Sequence, residues 1–68
     1  MPSLYQATID LLRAGAFIEQ ISETPQIYQL RAQGQRVTLP GGVVQQLFAN
    51  RAIRQACRVS GQARFVCT

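Results

Sequence analysis

The 68-residue sequence predicts one α+β domain, spanning residues 1–68, with two amphipathic helices, a small antiparallel sheet and a C-terminal β-hairpin. Three observations predict this fold. Apolar residues recur with helical spacing in two segments, residues 3–15 and 40–52. Between them, β-branched and aromatic residues alternate with turn residues, and the chain ends in two short apolar stretches separated by Ser60-Gly61. The length is near the lower limit for a self-sufficient core, so a second domain is not expected.

The first predicted helix lies in SLYQATIDLLRAG, residues 3–15. Ser3 is placed to cap its N-terminus, and Gln6 completes a capping box. Gly15 stands where a residue of left-handed backbone conformation commonly ends a helix. One face of this helix is predicted to pack on the core and carries Leu4, Thr8, Leu11 and Leu12.

The middle of the chain predicts strands, but one segment remains ambiguous. Residues 16–21 are rich in aromatic and β-branched residues and predict a short strand. In residues 26–39, alternation and a turn at Gly34 favour two further strands. The same residues also permit a short helix that begins at Pro25 and ends at Gly34. The strand interpretation is favoured, and residues 25–33 stay open between the two.

The second predicted helix follows Pro40, which suits a first helical position. Its apolar face comprises Val43, Val44, Leu47, Phe48 and Ala52. Its polar face comprises Gln45, Gln46, Ala49 and Asn50, and Arg51 lies near its end. Phe17, Phe48 and Phe65 are all predicted to belong to the core.

The tail, residues 53–68, predicts a hairpin around Ser60-Gly61. A two-residue loop would place Val59 opposite Gln62, and a three-residue loop would place it opposite Ala63. The longer loop is favoured because it puts a whole apolar face inward. That face would hold Cys57, Val59, Ala63, Phe65 and Cys67, with Arg54, Arg58 and Arg64 outward. Both cysteines are predicted to be free thiols packed in the core.

Composition restricts the function more than any motif does. Seven arginines oppose three acids, for a net charge of +4, which makes contact with a polyanion plausible. The chain has no histidine and its acids are scattered, so we expect no enzyme, no small-molecule substrate, no cofactor and no metal site. The apolar runs are too short for a membrane span, and no signal peptide is evident, which predicts a cytoplasmic protein.

The order of the predicted elements, with arginines on the final hairpin, resembles a compact winged helix-turn-helix domain. In that family the helix before the hairpin lies in the major groove and the hairpin, or wing, contacts the DNA backbone. The resemblance implies a small DNA-binding protein. The single small domain suits a transcriptional regulator from a phage or other mobile element. Gln45, Gln46 and Asn50 would read bases. The phosphates would be held by Arg51, Arg54, Arg58 and Arg64.

A second hypothesis is a protein-binding module, either an inhibitor or an adaptor. The chain carries many neutral glutamines, which make a polar surface of low charge density. Such a surface suits hydrogen bonds to a protein partner. A homodimer belongs to the same hypothesis, because a small chain gains stability by covering a sheet edge or a helix face.

Overall fold

The computed structural model describes residues 3–68, which form two helices and five strands. In chain order the elements are α1 (Leu4–Arg13), β1 (Phe17–Glu23), β2 (Gln26–Ala32), β3 (Gln35–Leu39), α2 (Gly41–Ala49), β4 (Ile53–Val59) and β5 (Gln62–Cys67). The strands form one antiparallel sheet in the order β3-β2-β1-β5-β4. Because β5 pairs with β1, the first and last strands meet inside the sheet, and β3 and β4 are its edges.

Both helices begin and end close to the predicted positions. The side-chain oxygen of Ser3 accepts a hydrogen bond of 3.1 Å from the backbone amide of Gln6, which caps α1. Gly15 follows this helix with φ +107°, as the sequence predicts. The helix α2 begins at Gly41, directly after Pro40, and ends before Arg51, whose φ of +53° is incompatible with continued helix.

The two helices pack on one face of the sheet, and the core lies between the two layers. The side chains of Ile18 and Leu47 are fully buried there, and each contributes roughly 1.5–3 kcal/mol by leaving water. The other core residues are Leu12, Ala16, Tyr28, Leu30, Leu39, Val44, Ile53, Ala63 and Phe65. Of the three phenylalanines predicted to be core, only Phe65 is buried; Phe48 is 42% exposed, and Phe17 points to the opposite face of the sheet.

Two-residue turns connect β2 to β3 and β4 to β5. Gln33 and Gly34 have φ of 51° and 77°, and Ser60 and Gly61 have φ of 52° and 79°. Positive φ at both central residues defines the type I′ turn, whose twist matches that of paired strands. The turn at residues 60–61 therefore pairs Val59 with Gln62, and the predicted three-residue loop is wrong.

A β-bulge at Ala56 then restores the core face of β4. Cys57 lies opposite Arg64, whereas Gln55 lies opposite Phe65, so Ala56 is an extra residue between them. Without it the alternation would turn Ile53 away from the helices; with it, Ile53 is 5% exposed. Cys57 was predicted to pack in the core as a free thiol, but with this register its free thiol is exposed, so its predicted burial is wrong. The free thiol of Cys67 is half-buried.

The predicted winged-helix-like arrangement is wrong. Residues 26–39 form the hairpin β2-β3, as the favoured interpretation predicted, so a helix-turn-helix cannot be built with α2. The C-terminal hairpin is not a projecting wing either, since β5 pairs with β1 within the sheet. The sheet is the larger part of this α+β domain, and the helices cover one side of it.

Across residues 3–68, none of the helices is both long enough and apolar enough to span a membrane.

Candidate functional site

The face of the sheet opposite the helices carries most of the positive charge of the protein. We call it the open face, because neither helix of the described chain covers it. Paired residues point to the same face of a sheet and successive residues to opposite faces, and this rule places four arginines on the open face. They are Arg31 on β2, Arg36 on β3, Arg64 on β5 and Arg54 on β4.

Charge on the open face is strongly asymmetric. Its four arginines face a single acid, Glu19, which leaves three of the chain's four net positive charges on this side. The remaining arginines (Arg13, Arg51 and Arg58) are partly offset by Asp10 and Glu23, which leaves one net positive charge elsewhere. An anionic partner would therefore be attracted to the open face in preference to the helical side.

Glu19 lies at the centre of the open face and fixes two of the arginines. Glu19 is only 6% exposed. Its carboxylate accepts hydrogen bonds from Arg31 Nη1 at 3.5 Å and from Arg64 Nε at 3.0 Å. A buried carboxylate is costly unless both oxygens are paired, which these two arginines achieve from the strands on either side. Glu19 thereby limits the freedom of two long side chains.

The same two arginines stack on an aromatic ring. Phe17 lies directly opposite Arg31 on the neighbouring strand. The guanidinium carbons of Arg31 and Arg64 lie 5.8 Å and 4.8 Å from its ring centroid. These distances are within the range of cation–π contact. The centre of the open face is consequently a layered surface of one ring and two planar cations.

Arg36 and Arg54 mark the two edges of the open face. Both are exposed, and all ion pairs found within residues 3–68 belong to Glu19. Arg36 lies directly opposite Arg31, and like charges at such positions repel each other. A bound anion between them would relieve this repulsion.

The seven residues predicted to bind nucleic acid do not lie on one surface. Gln45 and Gln46 are exposed on α2, and Asn50 donates a hydrogen bond of 2.9 Å to the Tyr5 hydroxyl. Arg51 follows α2 on the helical side of the molecule. Arg54 and Arg64 lie on the open face, whereas Arg58, opposite the core residue Ala63, points to the other side. The predicted patch of Arg54, Arg58 and Arg64 is therefore split by the turn and the bulge.

Four residues of the open face were missed at the sequence level: Phe17, Glu19, Arg31 and Arg36. One signal was present, because in QIYQLRA the apolar positions alternate with Gln29 and Arg31. That alternation identifies a polar face on β2. It does not show that β1 and β5 lie beside it, and this neighbourhood is what assembles the site.

No protein-family model matches the chain, and neither the curated proteins nor the solved structures contain a significant match.

Proposed function

We propose that this protein binds single-stranded nucleic acid across the open face. The observation that carries the proposal is the presence of Arg31, Arg36, Arg54 and Arg64 on one face of the sheet, two of them against an aromatic ring. Arginine binds phosphate groups bidentately, and both guanidinium planes and aromatic rings stack on unpaired bases. A face that supplies both interactions matches the two chemical parts of a single strand.

The shape of the open face favours a single strand over a duplex. Five strands at a spacing of about 4.8 Å span roughly 19 Å, whereas the major groove of B-DNA is about 12 Å wide. The sheet is too broad to enter that groove. A flexible strand, in contrast, can follow the twisted surface of a sheet and present its bases to it.

Salt-dependent binding tests the proposal. Fluorescence anisotropy with a labelled oligonucleotide of about 16 nucleotides is measured at about 0.1 M and about 0.3 M salt. We expect the affinity to fall as salt rises, and we expect the corresponding duplex to bind at least about tenfold more weakly than the single strand. Equal or tighter binding of the duplex would overturn the single-strand proposal.

A pair of charge-matched variants locates the site. Arg36→Gln with Arg54→Gln removes two exposed cations from the open face and leaves the Glu19 ion pairs intact. Each lost phosphate contact lowers the logarithmic salt slope by about 0.7, so the slope should fall by about 1.4. The control, Arg13→Gln with Arg58→Gln, removes the same charge from the other side. Equal losses in the two variants would show that net charge, and not the open face, determines binding.

The native cysteines provide a footprint without further mutation. Cys57 is exposed on the open face opposite Arg64, whereas Cys67 lies opposite the core residue Ile53. A saturating oligonucleotide should slow the reaction of a thiol reagent with Cys57 and leave its reaction with Cys67 unchanged. Unaltered labelling of Cys57 in the complex would place the nucleic acid elsewhere.

The competing candidate for the ligand of the open face is a protein, and the positive charge of this face restricts which proteins could bind. A surface that matches the open face must be acidic, and a second copy of the open face would meet it with like charge. Polyglutamate provides the discriminating measurement, because it carries anionic groups without bases. If polyglutamate binds as tightly as the oligonucleotide at equal salt, the open face is a site for acidic protein segments.

A further inference from the structure

We infer that a groove at one end of the sheet receives an unstacked base of the strand bound on the open face. This inference rests on the proposed function and specifies the part of the ligand that the site recognises. The groove has a volume of about 270 Å³. It lies between the end of α1 and the end of the β2-β3 hairpin, and its walls include Leu11, Ala14, Phe17, Arg31, Ala32 and Gln35.

The groove is continuous with the open face, because Phe17 and Arg31 belong to both. Across the sheet, Phe17 is paired with Arg31, which is in turn paired with Arg36. A phosphate held between Arg31 and Arg36 would bring its own nucleotide to the mouth of the groove. The base would then enter the groove by turning over the end of β2.

The walls suit a planar aromatic ring with polar edges. Leu11, Ala14 and Ala32 supply apolar contacts, and Phe17 and Arg31 line the groove where it meets the open face. The exposed amide of Gln35 carries both a donor and an acceptor for a base edge. The volume is near the lower end of the range for small-molecule sites, about 300 Å³, so the groove has room for one ring system.

Gly15 and Gly34 line the groove and contribute no side chain to it. Both have positive φ, and a Cβ built on either would meet no atom within 4 Å. Glycine suits these positive-φ positions at the end of α1 and in the β2-β3 turn, and its lack of a Cβ leaves two lining positions without a side chain. The space is a consequence of the chain's own turns.

Two oligonucleotides and two variants test the inference. The ligands are a strand of about 12 nucleotides and a strand of equal length in which every site is abasic. The groove variant, Ala14→Leu with Gln35→Leu, fills the groove from opposite walls at exposed positions. The control, Ala49→Leu with Gln26→Leu, introduces identical changes at exposed positions outside the groove. Leucine is used because an introduced aromatic ring would itself stack on a base.

The wild-type protein should bind the abasic strand at least about tenfold more weakly, since stacking of one base contributes about five- to 150-fold in affinity. The groove variant should lose about tenfold for the normal strand, with no change for the abasic strand or in the salt slope. The control variant should match the wild type with both ligands.

Each remaining outcome has a distinct meaning. Wild-type affinity of the groove variant for the normal strand would overturn the groove as a base site and leave the open face intact. A loss confined to the control variant would overturn it in favour of a site outside the groove. If neither strand binds the wild type, the proposed function itself fails. Far-UV circular dichroism of both variants confirms that the fold is retained.

Discussion

Replacement of Arg64 by Gln tests the central ion pairs most directly. The change leaves the buried carboxylate of Glu19 with Arg31 alone, whose contact of 3.5 Å is the longer of the two. Breaking a fully buried pair costs about 3–5 kcal/mol. Because the Arg64 side chain is 30% exposed, solvent screens part of this interaction. We expect the free energy of unfolding to fall by about 2 kcal/mol.

Urea unfolding followed by far-UV circular dichroism measures this loss, and a constant m-value shows that the unfolded state is unchanged. In a domain of this size, about 2 kcal/mol lowers Tm by roughly 8–16 °C. Arg36→Gln is the control on the same face. It has no acid to leave unpaired and lies opposite Arg31, so its effect should stay within about 0.5 kcal/mol.

A second substitution identifies the cause of the loss. Glu19→Gln, added to Arg64→Gln, removes the uncompensated charge and should restore about 1 kcal/mol. Two results would refute the reasoning: Arg64→Gln no more damaging than Arg36→Gln, or Glu19→Gln adding its full single-variant cost to that of Arg64→Gln. Either would show that the buried carboxylate does not depend on Arg64.

Three further predictions concern the fold. Leu47→Ala should lower the free energy of unfolding by about 3 kcal/mol in urea titrations, because its side chain is fully buried. Deletion of Ala56 should destabilise by at least about 2 kcal/mol or prevent folding, since it forces Ile53 out of the core. Gln33→Asn and Ser60→Asn should each raise the free energy of unfolding by about 0.5 kcal/mol, and Tm with it. The reason is that asparagine tolerates left-handed backbone better than either native residue.

Each of the three has a clear contrary result. A Leu47→Ala loss below about 1 kcal/mol would show that the site collapses around the cavity or is not buried. A stable, cooperatively folding Ala56 deletion would mean that β4 keeps its core face without a bulge. Unchanged or lower Tm for both asparagine variants would contradict the left-handed turns.

Local signals in the sequence predicted the helices and the existence of the hairpins well. The Ser3 cap and the Gly15 terminator act within one helical turn, so their effect can be read without knowing the rest of the fold. The favoured strand interpretation of residues 26–39 was correct, and in β2 the alternation of period two does correspond to a face that buries Tyr28 and Leu30.

The prediction of the C-terminal hairpin register was wrong because two rules, burial of an apolar face and the preferred turn type, conflicted. The sequence reasoning maximised the buried apolar face of residues 53–67 and therefore chose the longer loop. The Ser60-Gly61 turn instead imposed its own pairing, and the bulge at Ala56 corrected the face further along the strand. A bulge is favoured by the contacts of Ile53 with the helices, and these contacts involve residues distant in sequence.

The sequence by itself determined the basic charge, the α1 helix, the turn residues and an apolar content sufficient for one core. Only the tertiary structure decided that most of the net charge lies on one surface. The pairing of β1 with β5 brings Glu19 beside Arg64, 45 positions away, while β2 supplies Arg31 from the other side. Charge composition is a sum over the chain, whereas a binding surface depends on which strands are neighbours and on the register between them. Those are set by burial of the opposite face, where Ile18, Leu30 and Phe65 pack against the helices.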